Sequence, residues 1–315
     1  MQRLNSLTFR QLRALQAVSE TGSITQAAER LNLTPPAVHT QLKTLEDNFA
    51  CAMFNRTGAE GFELTAEGQA LLAAQIQSRE ILNRAIREID ALQRGLSGTV
   101  ALGVVSTGKY FAPRLVAMIK EAHPNIDITL HIGNRDQTIA ALRNNAVDIA
   151  IMGRPARYPP TDEIVLGEHP HLIILPPNHP LAGRENIDPN ELLSHPIITR
   201  EPGSGTRILA TRYLDRIAPG MPYETMEMDS NETIKQAVIA GLGIALISGH
   251  TVVEELNANR LAYLRGSDLP IMRKWYLLTP QDVVTTGSVK AIRDFIIDQK
   301  HHASGTIRNR LAGGG

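Results

Sequence analysis

The stretch TREPGSGTR, residues 199–207, brings together residue types that bind anions. Its glycines let the backbone approach a ligand closely, Ser204 and Thr206 can donate hydrogen bonds, and Arg207 can grip a phosphate or carboxylate with two N–H groups. A helix is predicted to begin here, and the free N–H groups of a helix start attract negative charge. An ordinary capped helix start has the same composition, so both interpretations stand at this point.

Further polar residues in this half of the chain follow predicted strands or begin predicted helices. Ligands of open α/β sheets bind where the strands end, so these residues are expected to line one cleft. Several cations and few opposing acids predict an anionic, phosphorylated metabolite, although each arginine taken alone is more often a surface ion-pair partner. The expected ligand-binding residues are Ser106, Thr107, Asn134, Arg135, Arg154, Ser204, Gly205, Thr206, Arg207 and Asn231.

Alternating strand and helix patterns run from residue 97 to residue 300. This alternation is typical of a parallel sheet covered on both faces by helices. A second set of strands begins at 171–177, and residues 275–298 return to the first set, which predicts two lobes joined by two chain crossings. Small ligands commonly bind in the cleft between such lobes. The predicted lobe I is 97–168 with 270–300, lobe II is 169–269, and 301–315 is a polar, mobile tail.

Residues 8–65 have the pattern of short helices. Thr8 with Gln11 and Ser23 with Gln26 have the spacing of capping boxes. In the run 38–49 the apolar residues share one helical face, and the opposite face carries compact polar groups. Such a pair of helices with a tight joint at residues 32–33 matches a helix-turn-helix, although a helical hairpin in an all-α core has the same pattern. The apolar face is Val38, Leu42, Leu45 and Phe49, and the polar face is Pro36, His39, Thr40 and Lys43.

Two prolines open that third run. Thr34 is a good N-cap residue, and Pro35 and Pro36 occupy positions whose N–H groups have no acceptor within a helix. The prolines therefore predict a helix start at residue 35.

The segment 66–94 contains no proline, and Gly68 is its one glycine. Apolar residues recur through it among Arg, Glu and Gln, which predicts one helix roughly 40 Å long. Its apolar stripe needs a partner, most simply the same helix of a second subunit.

The run FRQLRALQAVSETGSITQAAERLNLTPPAVHTQLKTLE, followed by MFNRTGAEGFELTAEGQALL, resembles the winged helix-turn-helix of LysR-type transcriptional regulators. The resemblance implies an α plus α/β architecture: a DNA-binding domain over 8–65, a linker (dimerisation) helix over 66–96, and a two-lobed α/β effector domain over 97–300, like periplasmic binding proteins. It implies that Arg56 and the wing at 58–63 approach the DNA backbone or minor groove. The family usually has serine at the position of His39, often arginine or lysine at Thr40, and glycine at Ala50. The DNA-contacting set that follows is Thr34, Pro35, Pro36, His39, Thr40, Lys43 and Arg56.

The segments 199–207 and SNETIKQAVIAGLGIALISGHTVVEEL, 230–256, resemble the LysR-type subgroup that controls carbon-fixation (Calvin cycle) operons. This resemblance implies a Calvin-cycle intermediate or a reduced nicotinamide nucleotide such as NADPH as the effector. It also implies double-stranded DNA with an interrupted palindrome and a homodimer or homotetramer as partners, with RNA polymerase as a further possible partner.

Amino-acid composition limits the classes of protein and of site that the chain can represent. Lys+Arg and Asp+Glu both number 32 in 315 residues, so a bulk basic field of the kind that announces nucleic-acid binding is absent. One cysteine allows no internal disulfide, no signal peptide is visible, and the longest apolar stretch, 237–247, is too short to cross a bilayer, so a cytoplasmic protein is expected. No catalytic set is readable, and the Glu168, His169 and His171 cluster is interpreted as chance adjacency rather than a metal site. The rival hypothesis is a two-lobed binding protein or enzyme whose N-terminal helices serve only assembly.

Overall fold

The structure is a computed structural model, and it describes residues 2–56, 62–94, 98–185, 187–266 and 268–299. The chain divides into two compact units, residues 1–85 and 86–315. The predicted tail and most of the predicted wing lie outside the described residues.

The first unit is a bundle of short helices with a small two-stranded hairpin. Its core is formed by the apolar faces that the helical spacing predicted, with Leu15, Val18 and Ala28 from the first helices packed against Val38 and Leu45. Strands β1 and β2 pair antiparallel beside it. The elements are α1 (Gln2–Asn5), α2 (Phe9–Thr21), α3 (Ile24–Leu31), α4 (Pro35–Phe49), β1 (Phe54–Arg56), β2 (Phe62–Leu64) and α5 (Ala66–Arg94).

Local hydrogen bonds define where these helices begin and end. The capping box of Thr8 and Gln11 is confirmed, with both reciprocal bonds present. At Ser23 only half of the predicted box forms, since its hydroxyl accepts from the Gln26 N–H at 3.5 Å and no return bond is made. Asn32 adopts a left-handed conformation (φ 55°), and this turns the chain sharply from α3 toward α4.

The helix start at the double proline is confirmed. Pro35 and Pro36 are the first two residues of α4, so their missing N–H groups cost no hydrogen bond. Thr34 precedes them, but the predicted side-chain cap is wrong, because its hydroxyl makes no capping bond. Its carbonyl instead accepts from the N–H groups of Ala37 and Val38, at 3.0 and 3.2 Å.

Helix α5 carries the long apolar stripe that the sequence predicted. Its first turn is held by the Thr65 hydroxyl, which accepts from the Gly68 N–H at 3.0 Å and donates to the Ala52 carbonyl at 2.8 Å. Farther along, four apolar side chains are 44–56% exposed, so the stripe is left uncovered: Ile81, Leu82, Ile86 and Ile89.

The second unit contains the alternating strands and helices. Its elements are β3 (Gly98–Val105), α6 (Ala112–Ala122), β4 (Ile126–Gly133), α7 (Arg135–Arg143), β5 (Ile149–Met152), β6 (Thr161–Leu175), α8 (Pro189–Leu193), β7 (Ile197–Arg200), α9 (Gly205–Ile217), β8 (Thr225–Met228), α10 (Asn231–Ile239), β9 (Ala245–Ser248), α11 (Val253–Asn257), β10 (Ala262–Tyr263), β11 (Ile271–Pro280) and α12 (Gly287–Asp298).

The sheet of this unit is mixed, which corrects the expected parallel sheet. Strands β4, β3 and β5 are parallel neighbours, as the alternation predicted. Strand β11 then pairs antiparallel with both β5 and β6, because it returns to this sheet from the other lobe. Strand β9 also pairs antiparallel with β6, while β7 and β8 form a separate parallel pair.

The two predicted chain crossings lie within strands β6 and β11 rather than in loops. Strand β6 begins at Thr161, ten residues before the predicted start, and runs without interruption through Pro170 to Leu175. It pairs with β11 over ten residues, with Pro170 opposite Met272 and His169 opposite Arg273. One half of β6 therefore belongs to the core of lobe I and the other half to the core of lobe II.

Substitution of Ala50 tests whether the backbone at the end of α4 is strained. Ala50 ends α4 with φ 55°, in the left-handed region that costs a residue with a Cβ atom about 1–2 kcal/mol. We expect Ala50→Gly to raise the free energy of unfolding by about 1 kcal/mol, measured by urea unfolding. The matched control is Ala240→Gly at the end of α10, where φ is −74° and no strain is relieved. Glycine there should destabilise the protein, and a loss of stability in both variants would contradict the assignment of strain to Ala50.

Candidate effector cavity and DNA-binding helix

A cavity of about 80 Å³ lies between the two lobes of the second unit. Its walls come from the ends of β3 and β5, the starts of α7 and α9, and the crossing strands β6 and β11. The structure brings eight of the ten predicted ligand-binding residues to this cavity: Ser106, Thr107, Asn134, Arg135, Arg154, Ser204, Gly205 and Thr206.

Arg207 and Asn231 do not line the cavity. Arg207 forms an ion pair with Glu227 and donates to the Arg200 carbonyl at 2.9 Å, so its guanidinium is engaged within lobe II. Asn231 is buried and accepts from Arg200 through its side-chain oxygen at 2.7 Å.

Sequence reasoning missed several residues of the cavity wall. His169, His171 and Arg273 lie on the crossing strands, and Arg212 lies on α9 two turns after its start. The alternation His169-Pro170-His171 at a predicted crossing was the available signal, because residues two apart on a strand face the same side. Arg273 could not be found this way, since its place depends on the pairing of two strands a hundred residues apart.

The cavity wall is positively charged. It contains four arginines, and among its described residues there is no aspartate or glutamate. Arg135 is paired with its neighbour Asp136, at 3.1 Å. The guanidinium groups of Arg154, Arg212 and Arg273 make no ion pair or hydrogen bond with any described residue. Such a concentration of cations without counter-charges attracts an anion.

One end of the cavity is formed by the start of helix α9. Ser204, Gly205 and Thr206 begin this helix, so its first N–H groups and the positive end of its dipole lie at the cavity wall. A Cβ atom on Gly205 would come within 3.5 Å of the Arg135 Cδ atom, so the aliphatic stem of Arg135 packs against the helix start. This end therefore combines a charged fork with backbone donors, an arrangement suited to a phosphate.

Beside the cavity, a buried arginine joins the two lobes. Arg200 is 3% exposed and donates to both carboxylate oxygens of Glu201, at 2.6 and 2.9 Å. It also reaches across to the Ser106 hydroxyl of lobe I, at 3.2 Å. Asn134 of lobe I donates to the same Glu201 carboxylate at 3.3 Å. These contacts, together with the ion pair of Lys109 with Glu232, close the lobes onto each other.

The other end of the cavity contains buried aromatic rings. The ring of His169 stacks on Trp275 with centroids 3.8 Å apart and planes 12° apart, and it lies 4.2 Å from the ring of His171. Desolvation by burial, with some help from Arg273 and His250, lowers the pKa of His171 to about 3, against the raising effect of its hydrogen bond to the His169 carbonyl. Burial and the same basic neighbours also lower the pKa of His169 well below its usual value. Both rings are therefore neutral near pH 7.

In the first unit, helix α4 presents one polar, exposed face. Val38, Leu42 and Leu45 are buried, and the predicted DNA-contacting residues on α4 are all exposed on the other side. The Thr40 hydroxyl donates to the Pro36 carbonyl at 2.8 Å. Arg56 ends strand β1, and its side chain lies outside the described residues. The exposed set on or before α4 is Thr34, Pro35, Pro36, His39, Thr40 and Lys43.

Family models match both units. The model of the "Bacterial regulatory helix-turn-helix protein, lysR family" covers residues 9–69, and that of the "LysR substrate binding domain" covers residues 93–300. The chain belongs to the LysR family. It is a LysR-type DNA-binding transcription regulator, and the interlobe cavity lies in the domain that this family uses for small-molecule effectors.

Curated relatives extend over almost the whole of this LysR-type chain. The HTH-type transcriptional regulator CbbR of Cereibacter sphaeroides is 48% identical over 283 residues, which cover 90% of this chain and 91% of the relative. CbbR of Rhizobium meliloti (strain 1021) is 43% identical and covers 93% and 94%. The RuBisCO operon transcriptional regulator of Allochromatium vinosum is 33% identical and covers 93% and 96%.

Solved structures agree with the fold. The Synechocystis PCC6803 CcmR regulatory domain in complex with 2-PG has a TM-score of 0.61 and 30% identity, covering 64% of this chain and 97% of that one. Full-length CbnR complexed with its target DNA has a TM-score of 0.69, covering 93% of this chain and all of that one. At 17% identity the CbnR likeness shows the fold alone. Within the described residues, no helix is long and apolar enough to cross a membrane, and no cluster of three or more metal-ligating side chains occurs.

The buried histidines predict how stability depends on pH. In the folded protein His171 stays neutral down to about pH 3, whereas the unfolded chain binds a proton below about pH 6.5. The unfolded state therefore holds more protons between these values, and stability falls as the pH falls, by about 1.4 kcal/mol per pH unit for such a histidine. His171→Asn removes this effect, so between pH 7.5 and pH 5 its stability relative to wild type should improve by about 2 kcal/mol in urea unfolding.

The control for this series is Ala50→Gly, which changes no titratable group. Its difference from wild type should be the same at pH 7.5 and pH 5. A His171→Asn difference that is equally constant would show that the folded protein accepts the proton at the usual pH.

Proposed function

We propose that this LysR-type regulator controls carbon-fixation genes in response to a small phosphorylated acid that binds between its lobes. The observation that carries the proposal is the cavity wall, where three arginines have no ion-pair partner among the described residues and no described carboxylate lines the space. An anion would neutralise these cations and stabilise the closed lobes.

The class of genes that the protein regulates is inferred from its relatives. Proteins named CbbR are 37–48% identical over 86–93% of the chain, and two further relatives are named as RuBisCO operon regulators. RuBisCO is the carbon-fixing enzyme of the Calvin cycle, so the same class of target genes is proposed here.

Cavity size favours a small ligand. A water needs about 10–15 Å³ of such space, so about 80 Å³ holds only a handful of waters or a phosphate ester of two or three carbons. A dinucleotide such as NADPH, the other effector class that the family resemblance suggests, is several times larger and requires lobes that stand farther apart.

The two ends of the cavity favour a ligand with two acidic groups. Arg135 and the start of α9 form one end, and Arg154 and Arg273 lie with His169 at the other. The CcmR regulatory domain was solved with 2-PG, and 2-phosphoglycolate has a phosphate at one end and a carboxylate at the other. We therefore use 2-phosphoglycolate as the probe for this cavity.

Helix α4 is proposed to read DNA in the major groove. Its exposed residues are compact or hydrogen-bonding, and they lie at and after the helix start, where the positive end of the helix dipole attracts phosphates. His39 and Thr40 are proposed to contact base edges, and Lys43 and Arg56 to contact the backbone.

The uncovered stripe on α5 supports a homodimer or a larger assembly. Four exposed apolar side chains along one helix are covered most simply by the same helix of a second subunit. A dimer would hold two copies of α4 at a fixed spacing and so select an interrupted palindrome.

The base-contact assignment predicts two different kinds of loss. His39→Ala and Thr40→Ala should reduce the preference for the operator over random DNA, since each base contact contributes about 1–3 kcal/mol of discrimination. Lys43→Ala should weaken binding to operator and random DNA by the same factor. It should also make the slope of log affinity against log salt concentration shallower by about one, because one phosphate contact is lost. The measurement is fluorescence anisotropy with DNA from upstream of the neighbouring genes, at several salt concentrations.

The control is Lys120→Ala, an exposed cation on α6 of the second unit, which should change neither affinity nor selectivity. If His39→Ala and Thr40→Ala lose the same affinity for operator and for random DNA, these residues contact the DNA backbone and not the base edges.

The cavity assignment predicts the effect of removing a wall arginine. Arg212→Ala and Arg273→Ala should each weaken binding of 2-phosphoglycolate about tenfold or more, because a charge-assisted contact contributes about 1.5–3 kcal/mol. Isothermal titration calorimetry on the full chain measures this.

Arg216→Ala is the matched control, one turn farther along α9, where the guanidinium is paired with Asp268 at 3.1 Å and does not line the cavity. It should bind within about twofold of wild type. Equal affinity of the Arg212 and Arg273 variants with wild type would place the ligand elsewhere.

A further inference from the structure

We propose that His169 is a direct ligand contact: its neutral imidazole donates the Nδ1–H to an acidic group of the ligand, and the Ser248 hydroxyl fixes the tautomer that makes this possible. The inference deepens the proposed function and rests on an anion occupying the interlobe cavity.

The two ring nitrogens of His169 have different surroundings. The ring is 4% exposed and lies in the cavity wall. Nε2 lies 2.9 Å from the Ser248 Oγ, whereas Nδ1 has no hydrogen-bond partner among the described residues. A Cβ atom on Gly153 would come within 3.3 Å of Nδ1, so Gly153, itself a residue of the cavity wall, lies directly against this nitrogen. A buried polar nitrogen without a partner is rare in proteins, and a ligand acceptor resolves it.

Ser248 has the means to select the tautomer. It is fully buried at the end of β9, which pairs with β6, and His169 is the partner found for its hydroxyl. If the hydroxyl donates to Nε2, this nitrogen carries no proton, and the ring proton must sit on Nδ1. That tautomer presents a donor, which an anion accepts. The opposite tautomer would present a lone pair to an anion and repel it.

The other buried rings are already engaged. His171 Nδ1 lies 3.1 Å from the His169 carbonyl, and His250 Nε2 lies 3.2 Å from the Glu168 carbonyl. Among the described residues, His169 Nδ1 is the histidine nitrogen that is buried without a partner. His169 is therefore the buried histidine that a ligand acceptor would complete.

The charged groups around His169 keep it neutral. His171 on its own strand, His250 after β9 and Arg273 on β11 all disfavour a second positive charge, in addition to burial. The ring stacks on Trp275, which adds no charge. In this division of roles the arginines provide charge, and His169 provides a directed hydrogen bond that does not vary between pH 6.5 and pH 8.

Two substitutions of His169 distinguish the roles of its two ring nitrogens. The amide nitrogen of asparagine overlays the Nδ1 position of histidine, and that of glutamine overlays the Nε2 position. His169→Asn therefore retains a donor toward the ligand, whereas His169→Gln retains only the contact with Ser248. Wild type and both variants are titrated with 2-phosphoglycolate by calorimetry on the full chain at pH 7.5. His169→Gln should bind about tenfold or more weakly, and His169→Asn should bind more tightly than His169→Gln.

Nuclear magnetic resonance with ¹⁵N-labelled histidine tests the tautomer without a substitution at His169. The wild type should show His169 protonated at Nδ1 alone, with and without 2-phosphoglycolate, and its signal should shift when the ligand binds. Ser248→Ala should show a mixture of tautomers and about threefold or more weaker binding. The one tryptophan of the chain stacks on His169, so its fluorescence reports in each variant whether this end of the cavity is still folded.

The outcomes separate the inference from the proposed function. Binding by wild type with equal affinity in both His169 variants overturns the role of His169 and leaves the anion cavity standing. A His169 protonated at Nε2, or at both nitrogens, in the complex also overturns the inference. Failure of the wild type to bind 2-phosphoglycolate or inorganic phosphate contradicts the proposed function itself, and with it the ligand contact.

Discussion

The ten-residue pairing of β6 with β11 is the constraint on which the ligand-binding unit depends. Both strands pass from one lobe to the other, and their backbone pairing holds them together on both sides of one register shift between Trp275 and Tyr276. This pairing sets His169 opposite Arg273 and leaves His171 two residues farther along the same face. Side chains that are a hundred residues apart in the chain thereby become neighbours in one wall. A ligand that contacts this wall contacts both lobes at once.

Electrostatics explains why this wall suits an acid. Arginines elsewhere in the described residues are commonly paired, as Arg184 is with Glu191 and Arg216 is with Asp268. Arg200 is buried, and its positive charge is compensated by Glu201. The side chains of Asn231 and Ser106 accept further hydrogen bonds from it. Three of the four arginines of the cavity wall have no such partner among the described residues, although Arg200 and Lys109 already bring the lobes together. Under the proposed function, the missing counter-charge is supplied by the ligand, and its binding energy favours closed lobes over open ones. A coupling of this kind is what a metabolite-controlled regulator requires.

Much of the fold was predictable because its signals are local. Apolar periodicity and caps placed α2 to α5 within a few residues, and the double proline marked the start of α4. Eight of the ten predicted ligand-binding residues line the cavity, and they followed from one rule, that ligands meet α/β sheets where strands end and helices begin. The failures share a different cause. The antiparallel placement of β11, the full length of β6 and the position of Arg273 depend on pairing between distant segments, which no local pattern contains.

The errors at single residues have the same origin. Arg207 and Arg200 stand in the same short stretch, and both are arginines next to a predicted helix start. Only the packing of β7 against lobe I shows that Arg200 bridges the lobes while Arg207 is occupied by Glu227. From the sequence, the cluster of Glu168, His169 and His171 is interpreted as chance adjacency, because the two histidines alternate into a predicted strand. The structure places them in the cavity wall instead, where their value is as neutral, buried donors or acceptors.

The central claim is that an acidic metabolite occupies the space between the lobes. A crystal structure of the full chain grown with 2-phosphoglycolate tests it most directly. The account predicts ligand density in the interlobe cavity, with acidic oxygens within hydrogen-bond distance of Arg212 or Arg273 and of the His169 Nδ1. Density for the ligand at another surface, with the cavity holding only water, would contradict it.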